Sequence, residues 1–183
     1  MHDNETEIIL RARSGDWPAL ALLIDEYSPA IFKFARYLLA SEQDAQDAAA
    51  DIIVRLYEKR DKIPEQGFHP WLMRVTYNHC HDILRRRQVL GRILPRFYRQ
   101  QAACEPSLDE ALRESDQKAL VQWGLVQLPE KERAALVLRY YYQMNYEEIG
   151  SILDASSATV GTWLHRGKEK LKMIIPEQMR WKV

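Results

Sequence analysis

The chain has 183 residues, of which 46% are hydrophobic, so it is long enough for one or two folded domains and too apolar for a disordered protein. Its 26 basic and 26 acidic residues balance to a net charge of zero, which argues against a protein that coats nucleic acid through overall positive charge. Two cysteines cannot form a disulfide framework for this length. The sequence lacks a signal-peptide pattern and an apolar run long enough for a membrane span, so we expect a cytoplasmic protein.

The first half of the chain is predicted to be helical, because its apolar residues recur at helical spacing and no segment alternates like a strand. Pro29 is expected to open one helical segment, since proline is tolerated in a first turn. Ser41 is the predicted N-cap of a helix that runs to about Lys59. A loop at 63–68 and a long helix at about 70–87 follow.

Residues 88–116 are predicted to be a flexible linker between two small helical domains, 1–87 and 117–183. Pro95 and Pro106 lie in this polar segment, and each would cost about 3 kcal/mol inside a helix. We therefore expect an all-α protein whose two domains move independently.

The second domain carries a predicted helix-turn-helix, which consists of two short helices separated by a tight turn. Asn145 and Glu148 have the spacing of a capping box for the first helix, and Ser156 is the predicted cap of the second. Val160 and Leu164 are expected to hold the second helix in the domain. Its solvent-facing residues would be Thr159, Thr162, Trp163, Arg166 and Lys168. The alternative is an amphipathic helix whose basic side is only solvated.

The predicted helix at 70–87 has a second notable face, formed at spacings of 3, 4, 3 and 4 residues by Trp71, Arg74, Asn78, His81 and Arg85. Aromatic and guanidinium groups stack on unpaired bases, and an amide reads base edges, so this face suits nucleic acid. An arginine-rich stretch without acidic residues follows it, from Ile83 to Cys104. The alternative is that Trp71 belongs to the core.

The sequence contains no Gly-rich phosphate loop, nucleophile elbow or zinc-protease pattern, so we predict no catalytic residue and no cofactor. His79, Cys80 and His81 are consecutive, and neighbouring helix positions point about 100° apart, so these side chains cannot converge on one metal ion. A metal site there would need a distant ligand such as His69.

Taken in order, four segments resemble the extracytoplasmic-function sigma factors of bacterial RNA polymerase. DAQDAAADIIVRLYEK (44–59) is similar to region 2.2 of that family, and FHPWLMRVTYNHCHDILRRR (68–87) to regions 2.3 and 2.4, with their W-L-x-R-x-x-x-N pattern. LPEKERAALVLRYYYQMNYEEIGSIL (128–153) is similar to region 4.1 and the first part of 4.2. SSATVGTWLHRGKEKL (156–171) resembles the recognition helix, T-V-x-x-x-L-x-R.

The resemblance implies a protein that binds core RNA polymerase and promoter DNA and is held inactive by an anti-sigma factor. The implied polymerase-binding residues are Asp44, Asp47, Asp51 and Arg55. The first domain would capture a flipped base of the minus-ten element and hold its backbone through Phe68, Trp71, Arg74, Tyr77, Asn78, Arg85, Arg86 and Arg87. The second would read the minus-thirty-five element through Ser157, Thr159, Thr162, Trp163, Arg166 and Lys168.

The chain departs from the family pattern at four positions. Gln46 and Ala50 stand where the family usually has Glu and Gln, and Gly161 and Trp163 stand where Lys or Arg is usual. Trp163 would either contact a base or pack the domain. Three other functions stay open: a sigma-like protein that binds polymerase or an anti-sigma factor without directing initiation, a dimeric helix-turn-helix repressor, and a metal-dependent enzyme.

Overall fold

A computed structural model describes residues 2–93 and 117–175, and these residues form helices without any strand, so the all-α prediction is confirmed. The first part contains α1 (His2–Arg13), α2 (Trp17–Leu39), α3 (Glu42–Glu58), a 3₁₀ turn (Arg60–Lys62) and α4 (Phe68–Ile93). The second part contains α5 (Gln117–Val126), α6 (Glu130–Tyr140), α7 (Tyr146–Leu153) and α8 (Ser157–Ile174). Within these ranges, no helix has both the length and the apolar character needed to cross a membrane.

The long helix α2 is the centre of the first part, where α1, α3 and α4 pack around it. Its apolar residues recur every three or four positions and give it a continuous buried side, with Leu20 and Phe34 almost fully inaccessible. Ile52 of α3 and Leu72 of α4 complete this core. The Ser41 side chain accepts a hydrogen bond from the Asp44 amide at 3.3 Å, which confirms the predicted cap of α3.

The expectation that Pro29 opens a new helix is wrong, because α2 runs through it without a break. Proline cannot donate to the carbonyl four residues earlier, which here belongs to Asp25. Pro29 and Asp25 are both exposed, so water can hydrate that carbonyl. Burial of Ile31 and Phe34 on the opposite side keeps the helix continuous.

Helix α4 is longer than predicted at both ends. Gly67 has φ +68°, a conformation that glycine adopts readily, and α4 begins directly after it at Phe68 instead of Pro70. The helix then continues past Arg87 to Ile93. The rest of the predicted linker, 94–116, lies outside the described residues, and the division into domains 1–87 and 117–183 remains a prediction.

The second part contains the predicted helix-turn-helix, formed by α7 and α8. The Asn145 side chain accepts from the amides of residues 147 and 148 at 2.9 Å, and the Glu148 carboxylate accepts from the Asn145 amide at 2.8 Å, so the capping box is confirmed. Ser156 caps α8 through the Thr159 amide at 3.2 Å. The turn is tight, since a Cβ on Gly150 would lie 2.5 Å from the backbone oxygen of Ala155.

The two parts pack against each other, with α6 on α2 and α7 on α4. Tyr141 and Tyr142 contribute to this contact, because their rings reach Tyr37 and Phe34 with centroids 5.5 Å and 5.8 Å apart. The sequence led us to expect independent domains, whereas the described residues form one continuous hydrophobic core.

Candidate nucleic-acid interface

One face of α4 carries an exposed polar stripe. Arg74, Asn78 and Arg85 follow each other at spacings of four and seven residues, so they lie on one side of the helix, and all three are exposed. Arg86 beside them is also exposed. The stripe and Arg86 together offer an amide and three guanidinium groups to a ligand, which is the chemistry needed to hold bases and phosphates.

Two predicted minus-ten residues lie at the start of α4 in an aromatic cluster. The Phe68 ring meets the edge of Tyr27 at 5.0 Å and stacks on Trp71 at 5.9 Å. Phe68 is only 3% exposed, whereas Trp71 is half-buried. In this conformation the Phe68 ring packs against Trp71 and is not itself accessible to a base.

Tyr77 is a predicted site residue of the first part that lies beside α6 of the second part. Its side chain is buried, and the Lys131 ammonium group lies 5.4 Å from the centre of its ring. Burial raises the pKa of the Tyr77 hydroxyl, and the nearby Glu130 carboxylate raises it further. The phenol is therefore neutral at physiological pH, and residues of α6 cover it.

The predicted polymerase-binding residues lie along α3. Asp47, Asp51 and Arg55 recur every four residues and are exposed on one face. Asp44 is only half-exposed, because it forms an ion pair with Arg87 of α4. Burial alone would raise the pKa of Asp44, but hydrogen bonds from Ser41 and Arg87 outweigh it and lower the value.

Helix α8, the predicted recognition helix, has the predicted division between buried and exposed sides. Val160 and Leu164 are buried, as expected. The predicted contact residues Ser157, Thr159, Thr162, Arg166 and Lys168 are all exposed to solvent. At the other end of the helix, Lys170 pairs with the buried carboxylate of Glu132 at 2.8 Å and so fixes α8 on α6.

Trp163 differs from its neighbours on α8, because it is half-buried and packs against the core. The Lys131 ammonium group lies 5.4 Å above its ring, and the same ammonium group donates to the Leu153 carbonyl. The packing role is thus observed, whereas a base contact remains a prediction. Gly161 has free space beside it, since an added Cβ would meet only the Tyr146 ring at 3.5 Å.

The histidine and cysteine trio of α4 does not form a metal-binding cluster. His79 and Cys80 are buried on different sides of the helix, and His81 points to Glu130, with Nδ1 2.8 Å from its carboxylate oxygen. Nowhere in residues 2–93 and 117–175 do three possible ligands come together.

Models of known protein families match both parts of the chain. The family model for Sigma-70 region 2 matches residues 23–89, which cover most of α2, all of α3 and most of α4. The model for Sigma-70, region 4 matches residues 125–171, which cover α6, α7 and most of α8.

Curated relatives agree with these matches. An RNA polymerase sigma-E factor of Streptomyces avermitilis is 31% identical over 147 residues, which are 78% of this chain and 77% of that protein. The chain belongs to the extracytoplasmic-function RNA polymerase sigma factors. This sigma factor is also 28% identical to SigW of Bacillus subtilis, over 90% of its own length and 92% of that protein. It is 31% identical to SigE of Mycolicibacterium smegmatis over 85% of its own length, and it spans 61% of that longer protein.

Two solved structures share the fold of this sigma factor. CnrH, solved in complex with the cytosolic domain of CnrY, has a TM-score of 0.69 and 23% identity over 92% of this chain and 95% of that one. RpoE of Bartonella quintana, solved with the anti-sigma factor NepR, has a TM-score of 0.65 and 21% identity over 87% and 96%. The likeness therefore extends to the relative placement of most of the helices.

Sequence reasoning missed the residues that join the two parts of the sigma factor. Glu130, Lys131 and Tyr142 touch side chains of the first part, and none was predicted to have a role. The dense run of tyrosines at 140–142 was the available signal, since exposed aromatic runs mark contact surfaces.

Proposed function

We propose that this sigma factor reads the minus-ten element with α4 and the minus-thirty-five element with α8. The observation that carries the proposal is the exposed stripe of Arg74, Asn78 and Arg85, which continues directly from the aromatic cluster around Trp71. Bases released from the duplex would stack on Trp71, and the guanidinium groups would hold the backbone. Phe68 and Tyr77 would join this surface only after local rearrangement.

The helix-turn-helix would dock α8 in the major groove. The N-terminus of α8 presents Ser157, Thr159 and Thr162, which can bond to phosphates or base edges. Arg166 and Lys168 lie further along the helix and add positive charge. Thr159, Thr162 and Arg166 share one exposed side of α8, and this combination of hydroxyl and cationic groups favours DNA as the ligand over a protein surface.

Core polymerase would bind the exposed face of α3 through Asp47, Asp51 and Arg55, with Asp44 at its edge. Because the Bartonella quintana structure contains an anti-sigma factor, we extend that mode of control to this sigma factor. We further propose that the chain acts in the cytoplasm and catalyses no covalent reaction of its own.

The decisive experiment mixes the purified sigma factor with bacterial core polymerase and a promoter library, and sequences the run-off transcripts. Shared upstream elements in the transcribed templates would support the proposal. Asn78→Ala should alter the selected minus-ten element alone, and Thr162→Val the minus-thirty-five element alone. Glu26→Gln, an exposed change on α2, is the control and should alter neither.

Two other outcomes would contradict the proposal and point to different functions. Stable core binding without transcripts, where a reference sigma factor works, would indicate a sigma-like regulator. Binding of DNA without polymerase, by a dimer on two half-sites about one helical turn apart, would indicate a repressor.

A further inference from the structure

One face of α1 lies against the segment that leads into α4. Glu5, Ile9 and Arg13 recur every four residues, so they share one side of α1. Ile9 is buried, and the two charged residues on either side of it form hydrogen bonds to residues outside α1. We call these three residues the brace, and the segment 63–67 between the 3₁₀ turn and α4 the loop.

The Arg13 guanidinium group ties the brace to the loop. It donates to the Glu65 carboxylate at 2.7 Å, although the two residues are 52 positions apart in the sequence. Both side chains are partly open to solvent, so this ion pair can favour one loop position over another by about fivefold at most. A tie of this strength decides the position of a loop where packing does not already do so.

Packing holds the ends of the loop more firmly than its middle. Ile63 at one end and Phe68 just beyond the other are buried, at 1% and 3% exposure. Gln66 and Gly67 between them are exposed, and a Cβ on Gly67 would have no heavy atom within 4 Å. A cleft of about 250 Å³ lies between these two residues and Ile9 of α1. The tie to α1 therefore acts on the part of the loop that packing supports least.

At the other end of the brace, Glu5 reaches the start of α4 through Tyr27 of α2. The Tyr27 hydroxyl donates to the Glu5 carboxylate. Burial raises the pKa of this hydroxyl, and the carboxylate raises it further, so the phenol remains a donor at physiological pH. The Tyr27 ring in turn meets the Phe68 ring with centroids 5.0 Å apart. Helix α1 thus supports both the loop and the first residue of α4.

The position of the loop is passed directly to the proposed minus-ten surface. The Gly67 carbonyl accepts a hydrogen bond from the Trp71 amide at 3.1 Å, so the last residue of the loop closes the first turn of α4. Trp71 also stacks on Phe68, with centroids 5.9 Å apart. A shift of the loop would therefore move the ring on which we expect released bases to stack.

We infer that the brace positions the loop through the pair of Arg13 and Glu65, and that α1 thereby sets how strictly the sigma factor selects its minus-ten element. Arg13 is thus a positioning residue, because it acts through Glu65 and not on DNA. The part of this inference that concerns selection rests on the proposed function, whereas the positioning of the loop does not.

The first test measures the position of the loop in the full chain without polymerase or DNA. Nitroxide labels are attached to cysteines that replace Gln66 of the loop and Gln88 of α4, both exposed, with Cys104 changed to Ser. Cys80 remains, because burial raises the pKa of its thiol to about 12 and keeps it unreactive toward the labels. The two labels are separated by roughly 30 Å of helix at about 1.5 Å per residue, which suits pulsed electron paramagnetic resonance.

The brace variant is Arg13→Gln, and its matched control is Arg11→Gln, which removes another 2.7 Å ion pair of α1, with Asp16. Arg13→Lys is the conservative variant, because an ammonium group can still pair with Glu65. We expect a broader distance distribution in Arg13→Gln alone, and a narrow one in the wild type, the control and Arg13→Lys. Circular dichroism should show equal helix content in all four, so that loop movement is separated from unfolding. A distribution in Arg13→Gln as narrow as in the wild type would overturn the positioning role.

Promoter selection by the unlabelled proteins then tests the consequence for DNA. Each is mixed with core polymerase and the promoter library, and the use of the preferred minus-ten sequence is compared with that of the next. Arg13→Gln should lower this ratio about two- to fivefold, the factor that a partly exposed ion pair can supply, and leave the minus-thirty-five preference unchanged. Glu65→Gln should lower the ratio as well, and the double variant should lose no more, because both residues belong to one pair.

Three outcomes of the selection experiment would count against the inference. A broader distance distribution with an unchanged ratio would overturn the role in selection. Losses that add up in the double variant would mean that Arg13 does not act through Glu65. If the wild type gives no transcripts, the proposed function and the role in selection fail together, while the distances still decide whether the brace positions the loop.

Discussion

Arg87 of α4 and Asp44 of α3 form an ion pair, so a residue proposed to hold a DNA phosphate is bound to one proposed to face the polymerase. Both side chains are about one-third exposed, at 32% and 31%, so solvent weakens their attraction. The pair nevertheless holds the C-terminal half of α4 against the start of α3. A phosphate that recruits Arg87 would release Asp44, and the two proposed surfaces would thereby influence each other.

A double-mutant cycle should measure this ion pair. We expect Asp44→Asn and Arg87→Gln to show a coupling of about 0.5–1 kcal/mol in urea denaturation, the upper range for a partly exposed pair. The cycle of Asp44→Asn with Arg86→Gln is the control, since Arg86 is exposed on the same turn. Equal coupling energies in both cycles would mean that the Asp44–Arg87 ion pair adds no more to the free energy of unfolding than a neighbouring arginine does.

Two glycines should respond to alanine in opposite directions. At Gly150 a Cβ would lie 2.5 Å from the Ala155 oxygen, so Gly150→Ala should destabilise the second part by about 1–3 kcal/mol. At Gly161 a Cβ would make an ordinary 3.5 Å contact with Tyr146, so Gly161→Ala should stabilise α8 by about 0.5–1 kcal/mol. Thermal unfolding of both variants checks the signs, and a shift in the same direction would contradict the argument.

Local signals in the sequence were read correctly, whereas contacts between distant segments were not. Ser41, Asn145 and Ser156 cap their helices as predicted, because a cap depends on residues within one turn. Pro29 was misread because burial of the residues around it outweighs the missing backbone donor. The bond from Tyr142 to Ala30 joins positions 112 residues apart, and no local pattern encodes such a partner.

At the candidate site, too, local patterns were predicted correctly and contacts between distant segments were not. Helical spacing correctly placed Arg74, Asn78 and Arg85 on one exposed face. Spacing could not reveal that Phe68 is buried against Trp71, or that Tyr77 is buried beside Lys131 of α6, because both depend on the residues that other segments place against α4. Whether Phe68 and Tyr77 contact DNA therefore depends on how α4 and α6 rearrange when the promoter binds.

Acid should destabilise the sigma factor through His79. Burial and then the Arg55 cation lower the pKa of this imidazole, and Asp51 only partly offsets them. The unfolded chain therefore binds a proton more readily, so the stability contributed by neutral His79 is present above about pH 6.5 and is lost as the pH falls below it. The melting temperature should fall between pH 7.5 and 5.5, and His79→Gln should reduce that fall.

The control for this pH dependence is His165→Gln, which changes an exposed histidine of α8. It should leave the fall in melting temperature as in the wild type. Asp82 and Arg86 also act on the pKa of His79, and both residues are present in His79→Gln and in His165→Gln. An identical fall in the wild type and in His79→Gln would assign the acid sensitivity to groups elsewhere.

Arg86, one of the exposed arginines of α4, should contribute a sequence-independent share of promoter binding. Arg86→Gln should reduce the slope of log affinity against log salt by about 0.9 if its phosphate lies in duplex DNA and about 0.7 in single-stranded DNA. Filter binding of the assembled holoenzyme measures the slope on a selected promoter and on one with an altered minus-ten element. Arg11→Gln, an exposed change on α1, is the control and should leave the slope unchanged.

Trp163 stands where the family usually has a basic residue, and its packing explains how the substitution is accommodated. The half-buried ring under Lys131 contributes to the stability of the second part, so Trp163→Arg should cost about 1–2 kcal/mol. The added charge should steepen the salt dependence of minus-thirty-five binding by about 0.9, because it creates one more phosphate contact. Gly161→Arg restores the other missing charge without removing a ring, so it should steepen the slope without that loss of stability. An unchanged slope in both variants would mean that neither position faces a phosphate.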